Sequence, residues 1–256
     1  MLPPRRRRPK AENKQGNKVH CHTGVVINVE TLHATSLRFK AHQGIKAMAF
    51  FKKQHHFLNT DFLVAGLGNP GPEYEGTRHN TGFMAATRLM RRHEMGRTRN
   101  RYGGRWCEGT VTGVNLAVIL PMTYMNRSGE AVASAARHKH IDPVNITVIH
   151  DDMDFPFGSV RVKQGGGAGG HNGLASIVAE LGTDAFNRVR IGIGRPDDPA
   201  EDARDWVLSP LGESDEKLMP VLDTAVDCIE TIITEGIEAA MNRFNRRDQD
   251  GDPAGE

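Results

Sequence analysis

FLVAGLGNPGPEYEGTRHNTG, residues 62–82, decides the fold. Its first five residues form an apolar run that reads as a strand, 62–66. Gly68, Asn69, Pro70 and Gly71 then make a turn, and His79-Asn80 stand where a helix begins, with Asn80 a candidate N-cap. A strand whose loop opens onto a helix is the edge at which open α/β proteins hold ligands. Here that edge brings an amide, Asn69, and an imidazole, His79, to one mouth. Three later loops carry polar groups in the same setting: PMTYMN (121–126), HDDMD (150–154) and GGGAGGHNG (165–173). Four convergent loops point to an active site on an α/β scaffold.

Outward from that stretch the chain alternates between helical and strand patterns. Phe83, Ala86, Leu89 and Met90 share one face of a helix over 80–94. Residues 101–111 and 116–120 read as a hairpin around Thr112-Gly113-Val114-Asn115. A helix over 127–140, strands at 146–150 and 159–163, a helix over 173–182 and a strand at 189–193 follow. Residues 194–205, rich in Pro, Asp and Gly, read as a mobile flap. Leu218, Val221, Leu222, Ala225, Ile229, Ile232 and Ile233 form one helical stripe. Pro220 requires that this helix start near it or kink there. Gly236 separates a last short helix with Ile237, Met241 and Phe244. The expected fold class is α/β: a single domain, 61–246, with a twisted mixed sheet flanked by helices. The hairpin makes the sheet mixed.

Composition is that of an ordinary globular chain of 256 residues, 38% hydrophobic and 25% charged. The net charge of +2 hides an asymmetry. Residues 1–60 carry 12 Lys/Arg against two acids, Glu12 and Glu30, whereas the rest holds 21 against 29. An anionic partner must therefore meet a local basic patch on an acidic body. PPRRRRPK opens a basic extension, 1–58, that reads as disordered, as sequence ahead of a true start such as Met48 and so not part of the mature protein, as a nucleic-acid-binding arm or as a transit peptide, and 247–256 as a polar tail. Three scattered cysteines argue against a disulfide framework and for a reducing compartment. No apolar run is long enough to cross a membrane.

The chemistry lies in the loops. GLGNPG matches a dinucleotide fingerprint in letters only: Pro70 has no N–H to offer a phosphate, and no acidic residue ends a strand about 20 residues on. GGGAGGHNG lacks the Lys-Ser/Thr step of a Walker loop, but its glycines let backbone amides approach an anion or a ligand backbone. Asn126 and Asn172 sit at helix starts, as caps or as ligand amides. Asp151, Asp152 and Asp154 are a weak magnesium motif, and His20-Cys21-His22 a weak metal motif. An Asp held beside a His fixes its tautomer and steadies the imidazolium, so His79 with Asp151 can activate water. Arg161, Lys163, Arg188 and Arg190 alternate along two strands, each pair on one face. They offer a phosphate clamp.

Taken together, GLGNPG-x-EY-x-x-TRHN-x-G, P-x-T-x-MN-x-SG, HDDMD-x-P-x-G, GGG-x-GGHNG and R-x-R-I-G-I-G-R-P, in this order over 61–246, resemble the bacterial peptidyl-tRNA hydrolases. The resemblance implies cleavage of the ester between a peptide and the 3′ ribose of tRNA, without metal or cofactor. It implies His79 as the catalytic base, Asp151 as its supporting carboxylate and Asn69 beside them. Asn69, Asn126 and Asn172 match the amides that hold the peptide and the tRNA 3′ end. Tyr74 and Met125 match residues lining the cleft, and Lys163 and Arg190 match the clamp for the tRNA 5′ phosphate. It further implies a cytoplasmic monomer (organellar if 1–58 is a transit peptide), with tRNA as partner and no membrane. Ala168 stands where the family often has a larger polar residue.

Overall fold

The computed structural model describes residues 60–198 and 200–245. The basic extension, its His20-Cys21-His22 motif and the polar tail lie outside the described residues. Seven strands form one sheet: β1 (Phe62–Gly66), β2 (Arg99–Arg101), β3 (Gly104–Val111), β4 (Val114–Pro121), β5 (Ile146–Asp152), β6 (Val160–Gln164) and β7 (Asn187–Gly192). Their order is β2-β3-β4-β1-β5-β7-β6. The four central strands are mutually parallel, and the pairs β2/β3, β3/β4 and β6/β7 are antiparallel. The sheet is mixed, as the hairpin requires.

Both faces of the centre are covered, so β1 is apolar throughout rather than alternating. Val64 faces a core with Ala85, Ala86, Leu89 and the apolar stripe of the C-terminal helix. Leu63 and Ala65 face a second core with Val132, Ala135, Leu174 and Ile177. The first layer is built from α1 (Thr81–Arg92), α5 (Asp215–Glu235) and α6 (Ile237–Phe244), the second from α2 (Ser128–Lys139) and α3 (Asn172–Leu181). A short α4 (Ala203–Leu208) lies between β7 and α5 in sequence. Arg88 and Arg92 of α1 fork onto Asp223 of α5, and Arg92 also reaches Asp227 and Glu230.

Several boundaries differ from the sequence reading. The hairpin turn is only Thr112-Gly113, both with positive φ (50° and 88°), so Val114 and Asn115 pair within β4. A second tight turn at Tyr102-Gly103 adds the exposed edge strand β2, hidden in the sequence because its residues are Arg-Asn-Arg. β5 continues through Asp152, because its ladder with β7 runs on to Asp152 opposite Gly192. The last three residues of the expected flap, 203–205, open helix α4, which is capped by Asp202 and runs on to Leu208. α5 starts at Asp215 and passes through Pro220. Proline this early removes one N–H where the helix is only beginning to close its bonds.

Two glycines set how closely α1 approaches the sheet. A Cβ on Gly82 would lie 2.4 Å from Ile149 O and 2.6 Å from Leu67 N and O. A Cβ on Gly66 would lie 2.5 Å from Gly82 O. The helix start is thus pressed onto the strand ends, with Phe83 N donating to Leu67 O at 3.0 Å. Gly82→Ala should cost about 1–3 kcal/mol of stability, the usual range for overpacking. Urea unfolding would measure it.

Candidate active site

The four loops meet. A cleft of about 1090 Å³ opens at the C-terminal ends of the parallel strands. All nine residues that the resemblance assigns to the site line it: His79, Asp151, Asn69, Tyr74, Met125, Asn126, Asn172, Lys163 and Arg190.

Asp151, next to last in β5, is only 3% exposed. The His79 Nδ1–H donates to both of its oxygens at 2.9 Å. His79 sits in a single 3₁₀ turn, Arg78–Asn80, just ahead of α1. With Nδ1 committed to the carboxylate, the ring presents Nε2 to the cleft. His171, which the sequence reading passed over, donates from Nε2 to Asp151 Oδ1 at 3.0 Å. Its Nδ1 accepts from Gly173 N (3.1 Å) and Leu174 N (3.4 Å), so His171 is the cap of α3. Asn172, a candidate cap in the sequence, is instead the first helical residue, with an exposed side chain. Burial would push Asp151 upward, but His171 and His79 outweigh it and hold the carboxyl well below the usual range.

Asn69 is buried and its amide is oriented. Oδ1 accepts from Met125 N at 2.8 Å, which leaves Nδ2 as a donor to the cleft. Its main chain is clamped by Asn80: Asn69 N donates to Asn80 Oδ1 (2.8 Å) and Asn80 Nδ2 to Asn69 O (3.1 Å). Asn80 makes no side-chain cap. Asn80 thus holds the N-cap position read from the sequence, but its side chain bonds Asn69 and not the helix. Within GLGNPG, Leu67 N donates to Ile149 O and Asn69 N to Asn80 Oδ1. Those amides cannot cradle a pyrophosphate. Tyr124, also missed, stands edge-on to Tyr74, centroids 6.5 Å apart.

In the glycine loop Gly165, Gly166, Gly169 and Gly170 have φ from 58° to 100°, a region that disfavours side chains. Ala168 is not among the positive-φ residues, so its methyl is accommodated. The antiparallel register sets Arg161 opposite Arg190 and Lys163 opposite Arg188, one face for all four. They do not act alike. Buried Arg188 donates to the carbonyls of Gly166 and Gly167 and holds the loop. Arg161 donates to Val160 O and Phe244 O. Lys163 is exposed, and Arg190 gives only its Nε to Asp152 Oδ2 (2.6 Å) while lying over the Phe155 ring.

The aspartates of HDDMD do not converge. Asp151 takes two imidazoles, Asp152 takes Arg190, and Asp154 takes Arg195 at 2.6 Å. Among the described residues, one set of metal-ligating type has its atoms within 4.8 Å of one another: His79, Asp151 and His171. Those same atoms are joined by the hydrogen bonds above.

The comparisons with known proteins agree with this geometry. The chain matches the family model for peptidyl-tRNA hydrolase over residues 63–251. A peptidyl-tRNA hydrolase of Syntrophotalea carbinolica is 46% identical over 186 residues, 72% of this chain and 97% of that one. One from Symbiobacterium thermophilum is 47% identical over 72% of this chain and 98% of its own. A crystal structure of peptidyl-tRNA hydrolase from Acinetobacter baumannii superposes with a TM-score of 0.64 at 37% identity, covering 72% of this chain and 94% of that one. Fold and site define a hydrolase of the α/β class. The chain belongs to the peptidyl-tRNA hydrolase family, enzymes that cleave the ester bond of peptidyl-tRNA.

His150 adds a pH dependence. It is wholly buried, and its Nδ1–H donates to Asp151 O at 2.7 Å while Nε2 meets no partner. Burial, with His171 adding to it, pushes its pKa down to about 3. Below its unfolded pKa of about 6.5 the unfolded chain binds the extra proton, so stability falls with pH, by up to about 1.4 kcal/mol per unit. Asp151 acts in the same direction further down. Its depressed pKa stabilises above the unfolded value of about 4 and ceases to as pH falls below it. Denaturant unfolding across pH 7 to about 4 should show this loss, and His150→Asn should flatten the upper part of the curve.

Proposed function

We propose that this protein hydrolyses the ester between a peptide, or an N-blocked aminoacyl group, and the 3′ ribose of tRNA, with water activated by His79 and Asp151. The observation that carries this reading is the buried His79–Asp151 pair in one cleft with Asn69, Asn126 and Asn172. His79 Nε2 takes a proton from water as the water oxygen attacks the ester carbonyl. Asp151, on Nδ1–H, holds the tautomer and balances the imidazolium charge. As the tetrahedral intermediate collapses, Nε2–H returns the proton to the departing 3′ oxygen. The products are a free carboxylic acid and tRNA.

Asn69 Nδ2, fixed by the bond from Met125 N, is the donor best placed for the developing oxyanion. Asn126 and Asn172, exposed at the starts of α2 and α3, hold the peptide main chain and the tRNA end. Tyr74 and Met125 line the acyl side. Lys163 and the free N–H groups of Arg190 take the tRNA 5′ phosphate, on a face that Arg161 and Arg188 frame without joining. The working unit is the domain 61–246, acting as a cytoplasmic monomer that recycles tRNA from prematurely released peptidyl-tRNA.

His79→Ala should lower turnover of N-blocked aminoacyl-tRNA by about 10²–10⁴-fold with tRNA binding retained, the range for a lost general base. Unchanged turnover would refute the role. Lys163→Ala and Arg190→Ala should raise KM more than they lower kcat. Each should also flatten the dependence of log KM on log salt by about one phosphate contact. An unaltered slope counts against the clamp.

A further inference from the structure

Arg78, the residue before His79, ties the 3₁₀ turn to the cleft wall that α4 forms. Its backbone N donates to Ser209 O at 3.1 Å. Its Nη1 donates to Ser209 Oγ at 2.6 Å and to Pro210 O. Its Cζ lies 3.7 Å from the centroid of the Trp206 ring. Trp206 in turn donates Nε1 to Gly194 O at 2.8 Å. On either side of these contacts, Thr77 bridges Pro210 and Leu211 N donates to Gly76 O at 2.9 Å. The segment so anchored sends Asp202, Arg204, Val207 and Leu208 to the cleft. The anchor is partly dry: Arg78 Nε is buried with no partner, and burial lowers the guanidinium from its ordinary value. A cation over an indole gains strength when water is excluded.

The turn is one residue wide on each side of His79. Asn80 clamps Asn69, Asp151 holds the imidazole, and Arg78 is the link to the opposite wall. We propose that Arg78 is a positioning residue: stacked on Trp206 and bonded to Ser209 and Pro210, it fixes the His79 turn against α4 and so sets where the base stands relative to the substrate's walls. This rests on the reading of His79 as the base. Lysine cannot replace it, because a point-like ammonium does not stack on the Trp206 ring as a plane.

The test is steady-state turnover of N-blocked aminoacyl-tRNA by folded Arg78→Ala, Arg78→Lys, Trp206→Ala, Trp206→Phe and the Arg78→Ala/Trp206→Ala double variant. Thermal melts serve as controls. Arg78→Ala and Trp206→Ala should each lower kcat about tenfold to a hundredfold, the scale of a misplaced catalytic group, with KM little changed. Arg78→Lys should not restore kcat, and Trp206→Phe, which keeps a ring face, should stay near wild type. The double variant should be no slower than the slower single, because both remove one link. Folded Arg78→Ala with kcat within about twofold of wild type, or losses that multiply in the double variant, would overturn the proposal. Should Arg78→Ala fail to fold, Trp206→Ala decides: an unaltered kcat overturns it. Full turnover by His79→Ala would sink the base assignment instead, so the two failures are distinct.

Discussion

One buried carboxylate organises this molecule. Asp151 sits near the end of a central strand, nearly without water, and receives N–H groups from two imidazoles. A carboxylate this deep is costly unless hydrogen-bonded. The two histidines meet that cost, and in doing so each is locked into one tautomer. His79 is left with Nε2 for chemistry, and His171 with Nδ1 for the first amides of α3. Three elements distant in sequence, the 78–80 turn, β5 and α3, are thus joined through one pair of oxygens.

The scaffold makes that meeting unavoidable. Parallel β1 and β5 lie side by side, so the loop after β1 and the end of β5 open at the same edge. Close packing of α1 through Gly66 and Gly82 then brings the His79 turn down onto that edge. Asn80 completes it from the other side by holding the main chain of Asn69 in place of water. The same contacts that pack the helix therefore also orient an imidazole and an amide.

Charge is divided with similar economy on the β6/β7 face. Four cations share it by register, but two are spent internally, Arg188 on loop carbonyls and Arg161 on Val160 and on the last turn of α6. Lys163 and Arg190 keep donors for a ligand. On a body with more acids than bases, that leaves two cations with uncommitted donors lining the cleft.

The sequence by itself determined the layered α/β plan, the order of most strands and helices, and the nine cleft residues, because apolar runs, helical stripes and five ordered motifs are local signals. It could not show β2, whose exposed Arg-Asn-Arg has no apolar pattern, nor that Ser, Trp and Pro of 206–210 reach back to Arg78. Nor could it show that the Asn80 side chain bonds Asn69 or that His171 reaches Asp151. Whether a polar side chain caps its own helix or bonds a residue far away depends on which groups close packing leaves within about 3 Å, and only the folded chain decides that.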